Sequence, residues 1–176
     1  MADDLLLRDY QIKAERICSF ARFIEWPSRR FTSSDAPFVI GVYGEDQISD
    51  LLREAIQGRR IKNRAVVIRH ILAKQELPSC HVLFVSRSER DRLPEVLREV
   101  RREGVLTVGE TENFLSRGGV INLFVADNTV RFEMSRDAAR RERLTVSSKL
   151  LQLTIRPHTG LMSFDMPLAG VPALPM

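Results

Sequence analysis

The sequence predicts an α/β protein of three layers. A mainly parallel sheet of about six strands, with a C-terminal antiparallel β-hairpin, is covered by helices on both faces. Three observations predict this. Short apolar runs rich in Val, Ile and Phe alternate with segments whose apolar residues recur at helical spacing. The runs 37–44 and 80–86 are apolar at nearly every position, as strands covered on both faces are. Asp127-Asn128 separates two further strand-like runs, which is the pattern of a tight hairpin turn.

The elements follow in order. Residues 5–25 carry Tyr10, Ala14, Ile17, Ala21 and Ile24 on one helical stripe, widened by Leu6, Phe20 and Phe23. Pro27 disfavours helical geometry at Trp26, so the helix is expected to end about there. "PFVIGVYG" is a strand closed by glycine. Asp46 is placed to cap a helix with Ile48, Leu51, Leu52, Ala55 and Ile56 on its apolar face, stopped by Gly58. "RAVVIRHI" and "CHVLFVS" are the next strands, the second expected at the sheet centre. Ser88 is placed to cap a helix carrying Leu93, Val96, Leu97 and Val100. "VLTVGE" is a strand, and Thr111 is expected to open a short helix holding Phe114 and Leu115. Residues 120–127 and 129–134 form the hairpin. Ser135 caps a basic helix over 136–143, and 144–153 is a short extended piece followed by a helix with Leu150, Leu151 and Leu153. One domain is expected over 5–156, with 157–176 as a Gly/Pro-rich tail that drapes or frays.

With 176 residues, 44% hydrophobic and 28% charged, the chain has the composition of a soluble globular domain. Its longest apolar runs are too short to cross a bilayer. The net charge is +4, but the arginines alternate with acids, as in residues 98–103, which describes a solvated helix face. Nothing interleaves arginines with aromatics, so a nucleic-acid groove is not expected.

Ligands in such sheets sit beyond the carboxyl ends of the strands. The candidate loops are Gly44-Glu45-Asp46, Ser86-Arg87-Ser88 and Gly109-Glu110-Thr111. None is a glycine-rich phosphate loop. Cys80 and His81 are adjacent on a strand and point to opposite faces, so they cannot act as nucleophile and base. His70 and His158 have no ligand-spaced partners. No catalytic, metal or cofactor site is expected. Ser86 and Ser88 lack a nucleophile elbow around them. Four residues stand out as candidate ligand contacts. Trp26 offers a stacking face beside the Glu25 carboxylate. Arg131 and Glu133 share one face of the hairpin, as an edge ion pair or a zwitterion clamp.

"KAERICSFARFIEWP", "APFVIGVYGED", "CHVLFVS", "VLTVGETENFLSRGGVINLFVADNTVRFEMS" and "VSSKLL" together resemble the YfiR/HmsC-like family of bacterial envelope proteins. The resemblance runs from about Lys13 to Leu153. Its most specific pieces are the E-W-P helix end, the G-G-x-I-N strand with its "VRFE" partner, and the terminal S-S-K-L-L. It implies a non-enzymatic periplasmic repressor, a homodimer in many members, that binds the periplasmic domain of a membrane-bound diguanylate cyclase and so controls cyclic-di-GMP, exopolysaccharide and biofilm. The alternative is a module that senses a small effector (an amino acid, vitamin or nucleotide) and feeds a cyclase or a sensor histidine kinase. Export is inferred from the family, because the acidic Met1–Asp4 and the short Leu5–Leu7 run show no export signal. Redox control in the family relies on disulfides. Cys80 sits where a family-like structural cysteine is expected, and Cys18 on the first helix is its candidate partner. A Cα separation above about 7 Å would rule the bridge out.

Overall fold

In a computed structural model of the chain, residues 2–151, 154–158 and 161–164 are described. Helix α1 (Ala2–Phe23) holds Asp3 and Asp4 in its first turn, where carboxylates suit the helix dipole. It stops before Trp26. Ile24 and Glu25 form a short strand, β1 (Ile24–Glu25), and Ser147 N–H donates to Phe23 O at 2.8 Å, an extended partner that outcompetes further helix. Strand β2 (Phe38–Tyr43) is buried at all six positions. Asp46 Oδ1 then accepts from the Ile48 and Ser49 amides, at 3.2 and 2.8 Å, to start α2 (Ser49–Ile56).

Strands β3 (Val66–Ile71), β4 (Val82–Val85) and β5 (Leu106–Gly109) follow, with α3 (Leu93–Glu99) between the last two. Ser88 does not cap α3. Residues 87–92 form a 3₁₀ segment, and the α-helix begins with Pro94 in its first turn, where a missing N–H costs nothing. The short helix expected after Thr111 is instead a run of turns. Asn113 (φ 63°) and Gly118 (φ 111°) leave the right-handed helical region and stop propagation.

Strands β6 (Ile121–Ala126) and β7 (Thr129–Ser135) form the hairpin. Positive φ at both Asp127 (51°) and Asn128 (57°) marks the primed turn that suits right-handed strand twist. Ser135 Oγ accepts from Ala138 N–H at 3.1 Å and caps α4 (Arg136–Arg141). The chain continues through β8 (Thr145–Val146), α5 (Ser148–Leu151), β9 (Thr154–His158) and β10 (Leu161–Phe164). The stretch expected to drape after Pro157 thus supplies β10, which pairs antiparallel with β7. The rest of the tail, and Leu153, lie outside the described residues.

The main sheet has the order β3-β2-β4-β5-β6-β7-β10-β9, and β1 pairs with β8 separately. Strands β2 to β6 run parallel, with β4 at their centre; β7, β10 and β9 extend the sheet antiparallel. Helices α1, α2 and α4 cover one face, where Phe20 of α1 meets Phe132 of β7 at 4.6 Å between ring centroids. Helix α3 and the turns holding Phe114 cover the other.

Phe114 fixes the turn segment. Its ring fills space that a side chain at either neighbouring glycine would occupy: a Cβ on Gly109 or Gly119 would come within 2.2 or 2.1 Å of ring atoms. Gly119→Ala is therefore expected to cost about 1–3 kcal/mol by overpacking. The urea midpoint reads this, and adding Phe114→Leu should restore part of the loss.

Candidate functional site

The carboxyl ends of β4, β5 and β6 carry a buried acid. Glu110, directly after β5, has its side chain only 1% exposed. Lys13 Nζ lies 2.8 Å from its Oε1, and Tyr10 Oη donates to both oxygens at 3.0 Å. Arg87 N–H donates to Oε2 at 3.0 Å. These bonds tie α1, the loop after β4 and the loop after β5 into one joint. Burial first, and then the Glu110 charge, hold the Tyr10 hydroxyl well above its ordinary range, so it stays a donor. Sequence reasoning named Glu110 only as a loop residue. The available signal was Tyr10 and Lys13, two polar groups one turn apart on an otherwise apolar stripe.

Beside this joint lies an open cleft of about 1050 Å³. Its floor comes from β6, β7 and the start of the turn segment: Asn122, Glu133 and Thr111. Asn122 faces Glu133 directly across the β6–β7 ladder and donates a hydrogen bond to its carboxylate. Burial pushes the Glu133 carboxyl above its usual value, and the Asn122 hydrogen bond opposes this. Phe124, Val125 and Leu115 give the cleft apolar wall, and Arg87, Arg90 and Arg117 stand at its rim.

The usual ligand crevice of such a sheet lies where the connections diverge, here between β2 and β4. It is filled. Ser88 Oγ accepts from Glu45 N–H at 2.9 Å, and His70 Nε2 donates to Gly44 O at 2.9 Å. A Cβ at Gly44 would lie within 2.7 Å of both Ser88 and Glu89. The open space is displaced to the β5–β7 side.

The four candidate contacts separate into two pairs. Glu133 lines the cleft, and Arg131 sits above it toward the turn, 3.6 Å from Asp127. Trp26 and Glu25 are at the opposite end of the sheet. Trp26 Nε1 donates to the carbonyl of His81, just before β4, at 2.9 Å, and its ring meets Phe38 edge-on at 5.0 Å. Glu25 is exposed and pairs with Lys62 at 2.5 Å. Trp26 therefore plugs the helix–sheet junction. Trp26→Phe is expected to lower stability by about 1–2 kcal/mol through the lost donor. Denaturant titration of the variant checks this; an unchanged midpoint would refute it.

His81 belongs to the same junction. Its Nδ1 accepts from Val39 N–H and its Nε2 donates to Arg30 O, both at 3.0 Å, and its ring stacks on Phe31 and Phe38. The cysteines are not brought together. Cys18 packs in the core on the α1 face and Cys80 in the core on the α3 face; both thiols are free. Burial pushes each thiol up to about 11, so neither is a ready thiolate. Among the described residues, no group of three His, Cys, Asp or Glu is placed to hold a metal, and no helix is long and apolar enough to cross a membrane.

Residues 10–154 match the family described as YfiR/HmsC-like. The chain belongs to the YfiR/HmsC-like family. The match takes in everything from the Tyr10–Glu110 joint to the start of β9. No curated protein matches the chain. Among solved structures, the fold is similar to the ABC domain in complex with L-Trp from Streptococcus pneumonia, at 8% identity and a TM-score of 0.52. That likeness covers 79% of this chain and 58% of the other, so this chain spans little more than half of that protein, and the shared feature is the α/β fold.

Proposed function

We propose that this protein is a non-enzymatic periplasmic regulator that binds and restrains a membrane-anchored signalling enzyme of the diguanylate cyclase type. It acts as a homodimer, and its output is the level of cyclic-di-GMP and hence exopolysaccharide and biofilm. The observation that carries this is the family match across residues 10–154. The chemistry of the described residues supports the non-catalytic part. The buried Glu110 carboxylate is saturated with donors, both nitrogens of His81 are bonded to backbone, and the thiols are buried in separate cores.

The test is co-expression in the periplasm of a host that carries a membrane-anchored diguanylate cyclase with a periplasmic domain. Cyclic-di-GMP is expected to fall when the protein is present, and the purified protein to co-elute with the cyclase's periplasmic domain. Unchanged cyclic-di-GMP together with no co-elution would sink the proposal.

A further inference from the structure

The formal charge of the chain is unevenly placed. Four segments meet at the amino ends of the parallel strands, opposite the cleft: residues 22–35, 57–65, 98–103 and 136–143. Hydrogen bonds hold them there. Phe38 N–H donates to Ala65 O at 2.8 Å, Arg30 Nε donates to Gly104 O at 3.2 Å, and Gly104 N–H donates to Glu142 Oε1 at 3.1 Å. These segments carry fourteen Arg and Lys against six Asp and Glu, a formal net of +8. The whole chain carries +4, so the remainder carries −4. Charge that reads as mixed within residues 98–103 is thus part of a polarised whole.

Two of the six acids are taken up within the protein. Glu142 is 2% exposed and accepts from the Arg102 and Gly104 amides and from Arg141 Nε. Glu25 pairs with Lys62. The arginines are left over. Arg29, Arg101, Arg102, Arg140 and Arg143 are exposed, and none of their guanidinium groups makes a hydrogen bond or ion pair with a described residue. Like charges held side by side repel one another, and an anionic surface relieves that repulsion. The kind of surface follows from what this end lacks. Leu5, Leu6, Leu7, Leu72 and Val125, the exposed large hydrophobics among the described residues, lie toward the other end, in the first turns of α1, directly after β3 and near the hairpin turn. A fitted protein interface has an apolar centre, which this end does not offer. Single-stranded nucleic acid asks for free aromatic faces, but Trp26, Phe31 and Phe38 are already packed against one another. A bilayer of anionic phospholipid asks only for positive charge, and guanidinium groups take its phosphates with paired N–H donors.

We propose that the amino end of the sheet is an electrostatic docking surface for an anionic phospholipid bilayer. Arg29, Arg101, Arg102, Arg140 and Arg143 meet the lipid phosphates, and the cleft and the leucines of α1 face away from the membrane. This surface does not depend on the repressor reading and stands or falls by its own binding test.

Co-sedimentation of the full chain with lipid vesicles provides that test. The protein is expected to bind vesicles of phosphatidylcholine mixed with phosphatidylglycerol, and not vesicles of phosphatidylcholine alone. Raising the salt from about 0.01 M to about 0.15 M shortens the screening length from about 30 Å to about 8 Å and should weaken binding at least about tenfold. Arg101→Gln with Arg102→Gln, and Arg140→Gln with Arg143→Gln, should each weaken binding about tenfold. Both pairs should keep the native melting temperature, because these side chains hold nothing in the fold. Arg8→Gln with Arg92→Gln removes the same charge near the carboxyl end and should leave binding unchanged. No binding to the phosphatidylglycerol vesicles at the lower salt, or equal binding to phosphatidylcholine alone, would overturn the proposal. An equal loss in the Arg8 and Arg92 double variant would overturn it as well, since net charge and not this end would then govern. So would tighter binding of a short DNA duplex than of the vesicles at the same salt, the result expected of a nucleic-acid surface.

Discussion

Replacing Glu110 with Ala is expected to destabilise the protein by about 3–5 kcal/mol. The carboxylate is buried and accepts from Lys13, Tyr10 and the Arg87 amide at once. Its removal strands the Lys13 ammonium, whose side chain is 5% exposed, without its ion-pair partner. Breaking one side of a buried pair costs more than the pair contributes, because the remaining charge stays desolvated. It follows that replacing both partners, Glu110→Met with Lys13→Met, should recover most of the loss. Urea unfolding at neutral pH measures both variants. Hydrogen exchange should also localise the damage, with residues 10–14 of α1 losing protection before the centre of β4. A single-variant cost no larger than that of an exposed substitution would show that the joint carries no stability.

The layered sheet was legible in the sequence because its determinants are local. The four fully buried positions of β4 stand as one apolar run, and the hairpin turn is written in Asp127-Asn128. The cap at Ser135 is equally local. What was illegible depended on distant partners. Helix α1 stops at Phe23, earlier than Pro27 requires, because Ile24 and Glu25 pair with Val146 and Thr145. The helix expected after Thr111 fails because Phe114 must lie over both Gly109 and Gly119. The candidate site shows the same division. Glu133 stood out in the sequence as a candidate contact on the hairpin, and it does line the cleft. Separating it from Glu25 and Trp26 required knowing which end of the sheet each occupies. Trp26 bonds the residue before β4, whereas Asn122 is level with Gly109 at the end of β5, and adjacency in sequence carries neither fact.

Acid is expected to loosen the opposite end of the sheet through His81. Burial holds this imidazole down at about 4, against an ordinary 6.5, with the nearby Arg30 and Arg64 charges acting in the same direction. Its neutral form is built into the fold: Nδ1 must stay unprotonated to accept from Val39 N–H. Between those two values the unfolded chain binds a proton that the folded chain refuses. Stability from this group is therefore full above about pH 6.5 and falls as the pH drops toward about 4. The depression corresponds to roughly 3 kcal/mol in total, with about 2 kcal/mol of it gone by about pH 5. Urea midpoints taken near neutral pH and near pH 5 should show this loss in the native sequence. His81→Asn separates the imidazole from carboxylate titration. Its amide oxygen takes the place of Nδ1 for the Val39 donor but does not titrate. The variant should begin less stable, having lost the stacking on Phe31 and Phe38, yet its stability should be nearly flat over this interval. An acid loss as steep in His81→Asn as in the native chain would place the titrating group elsewhere.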